Sequence, residues 1–551
     1  MPHAGVGRLR RRLLNQKKQI LKSASVISLV TVVSRILGYV RDQRITLLLG
    51  TTPTADAFVL AYRIPSLIRR LVGEGAVTAS FIPVFANYLN NKPREEVWDF
   101  AQRLFWTLAV ILAAITMLGI VFSTQFMRLF TFFAPGQPAM AQAIYLNRII
   151  FPYIYFIGLS ALAMAILNCF HVFGAPAATP VLLNISIIVS SIAAVSRYFS
   201  SAAVSLGVGV LIGGALQFLI LLPQLVRRGM RFDFALSLRH KGVRSVGGLL
   251  APGFFGIGVA QINFFVGTIF ATSSRMPSGS VTSLYVAERV MELVMGGYAI
   301  AVATAVLPMM SHQAAAGAME EMKSTLSFSL RIVSFITIPA AVGLVVMREP
   351  IITVLFQHGE FVAESTGLTT RALFYYAFGL PAFAAIKLIV PAFYSTHDTR
   401  TPVRVAAWSL GLAIALNVLF LRWFFPVFGN GGPALATVAA AYFNFLALFI
   451  IFRVRFGRLG TLDILASLAR SGVAAGIMGT LCWMGLNLAG FDSYSRFLPR
   501  LMIFAVLLLG ATASYLVLAW VMRCDELSEV YGIAMNAERP APSMAGIGNQ
   551  L

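Results

Sequence analysis

Residues 101–126 read AQRLFWTLAVILAAITMLGIVFSTQF, and Arg103 is the single charged side chain among them. A helix that crosses a membrane needs roughly 20 mainly apolar residues, so this stretch is long enough to cross a bilayer. The whole chain of 551 residues has the same character, because 58% of its residues are hydrophobic and 12% are charged. Soluble domains carry about 25% charged residues. The sequence therefore predicts an all-α, polytopic membrane protein.

Fourteen apolar stretches of suitable length follow one another along the chain, and we interpret them as 14 transmembrane helices. They cover residues 24–49, 66–90, 101–126, 143–170, 178–197, 203–225, 247–273, 282–311, 326–347, 367–395, 402–422, 432–453, 463–488 and 497–522. The links between them are too short to hold an independent soluble domain. The polar tail after Arg523 is rich in Pro, Gly and Ala, a composition that predicts disorder.

Basic residues are distributed unevenly between the two sets of links. Residues 1–22 contain seven Lys and Arg residues and no acid, and together with every second link after them they hold several-fold more Lys and Arg than the links of the opposite set. Cytoplasmic loops concentrate Lys and Arg, so the bias predicts that both termini lie in the cytoplasm. The net charge of +22 reflects this topology, and we expect no nucleic-acid partner.

Two short motifs recur along the chain with nearly the same spacing. A small-residue segment ending in proline closes the second span at 78–83 and the eighth span at 303–308, with the prolines 225 residues apart. Thr-Pro pairs at 179–180 and 401–402 are 222 residues apart. These offsets predict two pseudo-symmetric six-helix lobes that enter the membrane from the same side, as in many transporters. The expected boundaries are a basic N-terminus (1–22), an N-lobe (23–225), a cytoplasmic linker (226–246), a C-lobe (247–454), two further helices (455–523) and a polar cytoplasmic tail (524–551).

Ionisable side chains are concentrated in a few of the predicted spans. Each costs at least about 2.5–3.5 kcal/mol at the bilayer centre, so it normally faces a protein interior or an aqueous cavity. The first two spans with their link, the eighth span and the tenth span carry these charges, whereas the last four spans are almost free of them between their ends. The candidate substrate-binding residues are Arg35, Arg41, Asp42, Asp56, Arg63, Arg69, Arg70, Glu74, Glu288, Arg289, Glu292 and Lys387.

The spacing of these residues indicates which charges can cooperate. Arg70 with Glu74, and Arg289 with Glu292, are about one helical turn apart and can form ion pairs. Arg63 and Arg70 are two turns apart and share a face if that stretch is helical. Guanidinium groups outnumber carboxylates, and their planar hydrogen-bonding geometry suits phosphate oxygens. The pattern favours an anionic substrate, with phosphate or pyrophosphate preferred to a carboxylate.

Structural roles stay open for several of these charges. Arg63, Arg70 and Glu74 could form an internal ion-pair network instead of contacting a ligand. Arg69 could lie at the membrane interface with its charge in water. Lys387 could neutralise a neighbouring carboxylate instead of binding substrate.

Motifs for catalysis or for metal binding are absent from the sequence. It contains no P-loop and no HExxH, its three cysteines lack metal-ligand spacing, and its six histidines are scattered. We therefore expect no catalytic residues, no metal, no cofactor and no enzyme.

Several segments resemble the MurJ (MviN) family of lipid II flippases. The resemblance is carried by Val33-Ser34-Arg35-Ile36-Leu37-Gly38-Tyr39-Val40-Arg41-Asp42, Thr54-Ala55-Asp56-Ala57-Phe58, 63–70, 74–76, 151–153, 166–168, 285–292, 355–359 and 387–402. These segments extend over most of the chain. The family belongs to the superfamily of multidrug, oligosaccharidyl-lipid and polysaccharide exporters.

The resemblance implies both a fold and a function. It implies two six-helix lobes around a cationic central cavity, with residues 455–523 forming a groove for a lipid tail. It also implies alternating-access flipping of lipid II, the undecaprenyl-pyrophosphate-linked peptidoglycan precursor, from the cytoplasmic to the outer leaflet of the bacterial inner membrane. In the family, arginines of the first, second and eighth helices line the cavity. By motif these are Arg35, Arg41 with Asp42, Arg69, Arg70 and Arg289, and an acid of the second-helix region matches Asp56.

Two other classes of function compete with this hypothesis. The first is an exporter of another lipid-linked oligosaccharide or of a drug, although a cavity for cationic drugs would be expected to carry acids. The second is a membrane-embedded transferase, which would need an acid–base or metal constellation on an outer loop. The partners expected for a flippase are lipid II, membrane lipids and the cell-wall synthesis machinery.

Overall fold

Helices form the regular structure of the chain in the computed structural model, which describes residues 29–71, 77–132, 137–196, 199–494 and 496–529. Short 3-10 turns follow three of these helices, at Ala194–Ser196, Gly429–Gly431 and Phe491–Ser493. The helices are α1 (29–49), α2 (Pro53–Leu71), α3 (Val77–Asn91), α4 (Arg94–Val121), α5 (Ser123–Leu129), α6 (Pro138–Ile150), α7 (Tyr153–Cys169), α8 (Gly174–Ala193), α9 (Ala202–Leu219), α10 (Leu222–Arg228), α11 (Lys241–Ala271), α12 (Ser280–Ala315), α13 (Met319–Val346), α14 (Arg348–Phe356), α15 (Ala363–Ser395), α16 (Arg400–Arg422), α17 (Phe425–Phe428), α18 (Gly432–Phe456), α19 (Thr461–Ala489), α20 (Phe497–Val521) and α21 (525–529).

Described helices lie within each of the predicted spans, which confirms the all-α fold. Among the described residues, ten helices are long and apolar enough to cross a membrane, as judged by length and composition. The first, second, seventh and eighth predicted spans fall outside this set, and Arg and Asp side chains interrupt the first two. The total of fourteen crossings therefore stays a prediction.

The second predicted span begins at residue 66, but α2 already begins at Pro53. The sequence-based boundary was too late because the charged residues Asp56 and Arg63 made residues 50–65 resemble a polar link. The helix tolerates these charges because residues 55–62 are buried in protein. The short helix α14 likewise lies in a stretch that was expected to be a link.

The chain forms two compact units. Unit 1 consists of Met1–Val286, Leu355–Thr369 and Leu410–Pro433, and unit 2 consists of Ala287–Val354, Thr370–Ser409 and Ala434–Leu551. Two segments of unit 1 thus come from the second half of the sequence. The boundaries of the two sequence repeats, at residues 225 and 247, stay predictions.

Aromatic rings and small residues pack the helices of unit 1. Phe81, Phe85 and Phe100 join α3 and α4, with ring centroids 4.8 to 6.2 Å apart. Gly119 of α4 faces the ring of Phe151 so closely that a Cβ atom would lie 1.9 Å from the ring. Close approach at small residues is a main source of helix association in membranes. This packing holds α3 and α4 within unit 1.

The core of unit 2 joins α13, α15 and α18. Met322, Leu388, Phe393 and Phe452 are among its fully buried side chains. On α20, the hydroxyl of Tyr515 donates to a backbone carbonyl oxygen of α13 at 2.6 Å. The C-terminal helices are therefore part of unit 2.

Residues 525–529, within the predicted disordered tail, form the short helix α21. Glu526 of α21 is buried, and one of its carboxylate oxygens lies 3.5 Å from Nη1 of Arg331 on α13. The interaction of this buried carboxylate with the guanidinium stabilises the folded segment. The amino-acid composition of the tail did not predict this interaction.

Helices α7 and α15 end in the same type of cap. His171 and His397 follow them in the left-handed conformation, with φ of 56° and 61°. In each case the N–H of the residue after the histidine donates to a carbonyl oxygen of the last turn, that of Leu167 at 2.9 Å or Phe393 at 3.0 Å. This is the Schellman arrangement. The two caps lie at corresponding positions of the predicted repeats, which supports the repeat.

Asp398 anchors the link between α15 and α16. It accepts hydrogen bonds from the backbone N–H and the hydroxyl of Thr401, and it forms an ion pair with Arg455. Burial on its own raises the pKa of Asp398. The hydrogen bonds from Thr401 and Arg455 outweigh burial and hold this pKa below its ordinary value.

Candidate functional site

Arg41 and Asp42 of α1 form a buried ion pair. The Nε and Nη2 atoms of Arg41 donate to Oδ1 of Asp42 at 2.9 and 2.7 Å. The two side chains are 9% and 7% exposed. Removing one partner of such a pair leaves an uncompensated buried charge and typically costs about 3–5 kcal/mol. The pair predicted to bind substrate is thus also a fixed element of unit 1.

Three polar side chains from other helices hold this ion pair. Nη1 of Arg41 donates to Oδ1 of Asn184 on α8 at 3.0 Å and to the hydroxyl of Tyr62 on α2 at 3.5 Å. The hydroxyl of Tyr285 on α12 donates to Oδ1 of Asp42 at 3.0 Å. We call these five residues the Arg41 cluster. The guanidinium is oriented from several sides, so its donor atoms are fixed in direction.

Arg63 adds a second positive charge next to the Arg41 cluster. Its guanidinium carbon lies 6.0 Å from the ring centroid of Tyr285, a cation–π distance. Arg63 and Arg70 both lie in α2, so the stretch between them is helical, as their expected common face requires. The side chain of Arg70 lies outside the described residues.

The candidates of unit 2 form another charged group. Nη1 of Arg289 and Oε2 of Glu292 are 2.6 Å apart on α12, which confirms that these two residues pair, and both side chains are half-buried. Glu288 on the same helix is buried. Lys387 is half-buried on α15. An arginine held by a carboxylate thus occurs in each unit.

Asp56 makes its hydrogen bonds to the start of α12. Its Oδ1 accepts from the backbone N–H and the hydroxyl of Thr282 at 2.8 and 2.7 Å, and its Oδ2 accepts from the backbone N–H of Gly279 at 2.8 Å. The first N–H groups of a helix have no partner inside that helix, so an acceptor at this position stabilises it. Both carboxylate oxygens therefore serve to attach α12 to α2.

A set of close contacts surrounds Asp56 within unit 1. The hydroxyls of Thr51 and Ser365 are 2.7 Å apart. A Cβ atom on Gly279 would lie 2.2 Å from the carbonyl oxygen of Thr51, and Gly279 has a φ of +86°. The N–H of Glu360 donates to a carbonyl oxygen of α1 at 2.9 Å. We call these the Thr51 contacts. They join segments from both halves of the sequence.

The remaining predicted site residues lie in less defined positions. Arg35 is exposed on α1, and Arg69 is half-buried on α2. Glu74, which was expected to pair with Arg70, lies outside the described residues.

Sequence reasoning missed Asn184, Tyr62 and Tyr285 of the Arg41 cluster. Asn184 is the one detectable signal, because an amide in the otherwise apolar middle of α8 must find a hydrogen-bonding partner. The tyrosines resemble ordinary core aromatics, and only the fold brings their hydroxyls to the ion pair.

In the described part of the chain, no group of three or more His, Cys, Asp or Glu side chains is arranged to hold a metal ion.

Comparison with known proteins places the chain among membrane transporters. The family model for the lipid II flippase MurJ matches residues 45–504. The probable lipid II flippase MurJ of Vibrio cholerae is 34% identical over 91% of this chain and 95% of the relative. The lipid II flippase MurJ of Burkholderia cenocepacia is 31% identical over 91% of this chain and 97% of the relative.

Solved structures show the same relationship. A structure of the lipid II flippase MurJ in an inward closed conformation matches with a TM-score of 0.76 and 26% identity, over 91% of this chain and 99% of that one. An inward-facing multidrug resistance transporter of the MATE family matches with a TM-score of 0.63 and 16% identity, over 79% of this chain and 95% of that one, which shows a common fold alone. The multi-pass membrane chain described here belongs to the lipid II flippase MurJ family.

Proposed function

We propose that this chain flips lipid II from the cytoplasmic to the outer leaflet of the bacterial inner membrane, for peptidoglycan synthesis. The single observation that carries the proposal is the buried, oriented guanidinium of Arg41 in a membrane helix of this family. A charge at this depth is costly unless it has a function or a partner. The partner Asp42 neutralises the charge in this state, and the planar donors of the guanidinium suit a diphosphate once that carboxylate is exchanged for it.

Within this proposal, Arg41 and Arg289 bind the pyrophosphate oxygens, with help from Arg35 and Arg70. Asp42 and Glu292 orient the two arginines when substrate is absent, as their ion pairs of 2.7 and 2.6 Å indicate. A charge-assisted hydrogen bond is about twice as strong as a neutral one. Exchange of a carboxylate partner for a phosphate partner therefore keeps each guanidinium paired throughout the cycle.

The remaining predicted charges have supporting roles in this proposal. Arg63, Arg69 and Lys387 keep the path cationic, and Glu74 and Glu288 limit repulsion among the arginines. Asp56 acts through α12 as a positioning residue, since its oxygens bind the first turn of that helix.

Alternating access requires two states that differ in their affinity for substrate. The Thr51 contacts suit one of these states, because they are hydrogen bonds and close glycine contacts between segments that lie far apart in the sequence. We propose that these contacts open to release the head group. The polyprenyl tail remains in lipid or in the groove of α19 and α20.

The positive-inside bias supports a cytoplasmic location for both termini. The cell-wall synthesis machinery that consumes lipid II is the proposed protein partner. The proposal assigns transport and no catalysis to the chain. The alternative is export of another lipid-linked oligosaccharide or of a drug, and the surplus of guanidinium groups disfavours cationic drugs.

Rescue of bacteria depleted of their own lipid II flippase tests this function. The proposal predicts that the chain, expressed at a normal level in the membrane, restores growth and cell shape. Lysis of the depleted cells despite normal insertion would contradict it. Rescue of an exporter-deficient strain instead would favour the alternative.

A further inference from the structure

Unit 2 contains a cleft of about 550 Å³ where α13 and α19 end and α14 begins. Its apolar wall includes Val342 and Val346 of α13 and Trp483 and Leu486 of α19. Its polar rim includes Arg348 and Glu349 of α14. Its α19 wall belongs to the segment 455–523 that is predicted to form the lipid-tail groove, and its other wall is formed by α13 and α14, not by α20. A volume of this size is typical of small-molecule sites.

Glycines of α19 provide the space in the cleft. A Cβ atom on Gly476 would meet no atom within 4 Å, so open space lies next to this residue. A Cβ atom on Gly479 would lie 2.5 Å from the side chain of Val342, so α13 and α19 approach each other closely here. Contact between the two helices thus narrows the cleft at Gly479, and open space lies about one turn farther from the rim, at Gly476.

The rim of the cleft presents one positive and one negative side chain. The guanidinium of Arg348 lies 5.4 Å from the ring centroid of Phe374, and its Nη1 donates to the carbonyl oxygen of Val345 at 2.6 Å. This bond uses one of the five N–H donors of the guanidinium. The next residue, Glu349, is exposed. A ligand that carries adjacent negative and positive groups matches this pair.

The depth of the cleft corresponds to the head-group region of a membrane. Arg348 lies two residues after the end of α13, and Trp483 lies six residues before the end of α19, about 9 Å along the helix. Trp483 is 58% exposed. Trp is enriched where membrane and water meet, so lipid head groups are the molecules expected at this level.

We propose that this cleft binds phosphatidylethanolamine. Arg348 binds the phosphate, Glu349 accepts hydrogen bonds from the ammonium group, and an acyl chain lies along Val342, Val346 and Trp483. Phosphatidylglycerol has no ammonium group, and the quaternary amine of phosphatidylcholine has no N–H to donate. Both should therefore bind more weakly.

The test is the thermal unfolding of the purified full-length chain in detergent, titrated with short-chain phospholipids. Phosphatidylethanolamine should stabilise the chain at about tenfold lower concentration than phosphatidylglycerol or phosphatidylcholine, as expected for one charged hydrogen bond. Glu349→Gln should remove this preference, and Arg348→Gln should weaken binding of all three lipids. Equal stabilisation by the three lipids in the unaltered chain would overturn the proposal.

Two further comparisons distinguish a lipid site in this cleft from lipid binding elsewhere on the protein and from binding of a free head group. Gly476→Leu fills the cleft and should abolish the preference, whereas Gly472→Leu, one turn earlier and also next to open space, should preserve it. Identical titrations of these two variants would overturn the proposal. Free phosphoethanolamine should stabilise far less than the lipid, and equal stabilisation would overturn the assignment to a lipid.

Discussion

Replacement of Asn184 by alanine tests whether the orientation of Arg41 matters for transport. Asn184 accepts a hydrogen bond from Arg41 at 3.0 Å and donates one to the carbonyl oxygen of Ser34 at 3.0 Å. The substitution removes both bonds and leaves the charge of the cluster unchanged. Arg41 keeps its ion pair with Asp42, so the fold should survive while the direction of Nη1 is released.

The expected magnitudes follow from the two lost bonds. Hydrogen bonds between membrane helices contribute about 0.6 kcal/mol on average and up to about 1.7 kcal/mol. Asn184→Ala should therefore lower the free energy of unfolding by about 1–3 kcal/mol. Loss of the bond that directs Arg41 should slow transport by about 3- to 20-fold, because about 1.4 kcal/mol corresponds to a factor of ten.

The assay is the exposure of lipid II on the far leaflet of vesicles that contain the purified chain. Asn147→Ala is the matched control, because Asn147 is equally buried and its amide donates to Gly119 and Ser123, outside the Arg41 cluster. Both variants should lose similar stability, and only Asn184→Ala should lose transport beyond the loss of folded protein. Equal transport by the two variants would refute a positioning role for Asn184.

Three further substitutions test other parts of the structure. Gly279→Ala should lower the unfolding temperature more than Gly317→Ala. Both glycines have a positive φ, but only at Gly279 would the new Cβ atom lie 2.2 Å from a carbonyl oxygen. Equal shifts of the unfolding temperature would contradict close packing at Gly279. Glu292→Gln should slow lipid II exposure several-fold at unchanged protein level, because it removes the charged partner of a half-buried arginine; an unchanged rate would exclude that carboxylate from transport. The pKa of Asp398 is lower in the folded chain than its ordinary value near 4. Its ion pair therefore stabilises the fold at a pH above about 4, and this stability is lost as the pH falls through the folded-state pKa. Unfolding temperatures of the unaltered chain and of Asp398→Asn should differ at pH 7 and converge below about pH 4, and a constant difference would contradict this role.

The sequence allowed the helical fold and one charge pair to be predicted. Apolar length alone located helices in all the predicted spans, because lipid requires backbone hydrogen bonds to be satisfied within a helix. The ion pair of Arg289 with Glu292 followed from helical spacing. The start of α2 could not be predicted from the sequence, because its charged residues are typical of a polar link. The helix tolerates them because they pack against protein.

The partners of the site residues could not be predicted, because they come from distant segments. Asn184 lies 143 residues after Arg41, and Tyr285 lies 243 residues after Asp42. The role of Asp56 was also hidden, because the helix start that it caps lies more than 220 residues away. Short-range periodicity carries no information about such contacts.

The central claim is that membrane-embedded guanidinium groups bind the pyrophosphate of lipid II as it crosses. The most direct test measures lipid II exposure in vesicles for Arg41→Ala and Arg289→Ala, with Arg275→Ala, an exposed arginine, as the control. Compared per amount of folded, inserted protein, Arg41→Ala and Arg289→Ala should lose most transport, while the control transports normally. Transport by Arg41→Ala and Arg289→Ala at the rate of the unaltered chain would contradict it.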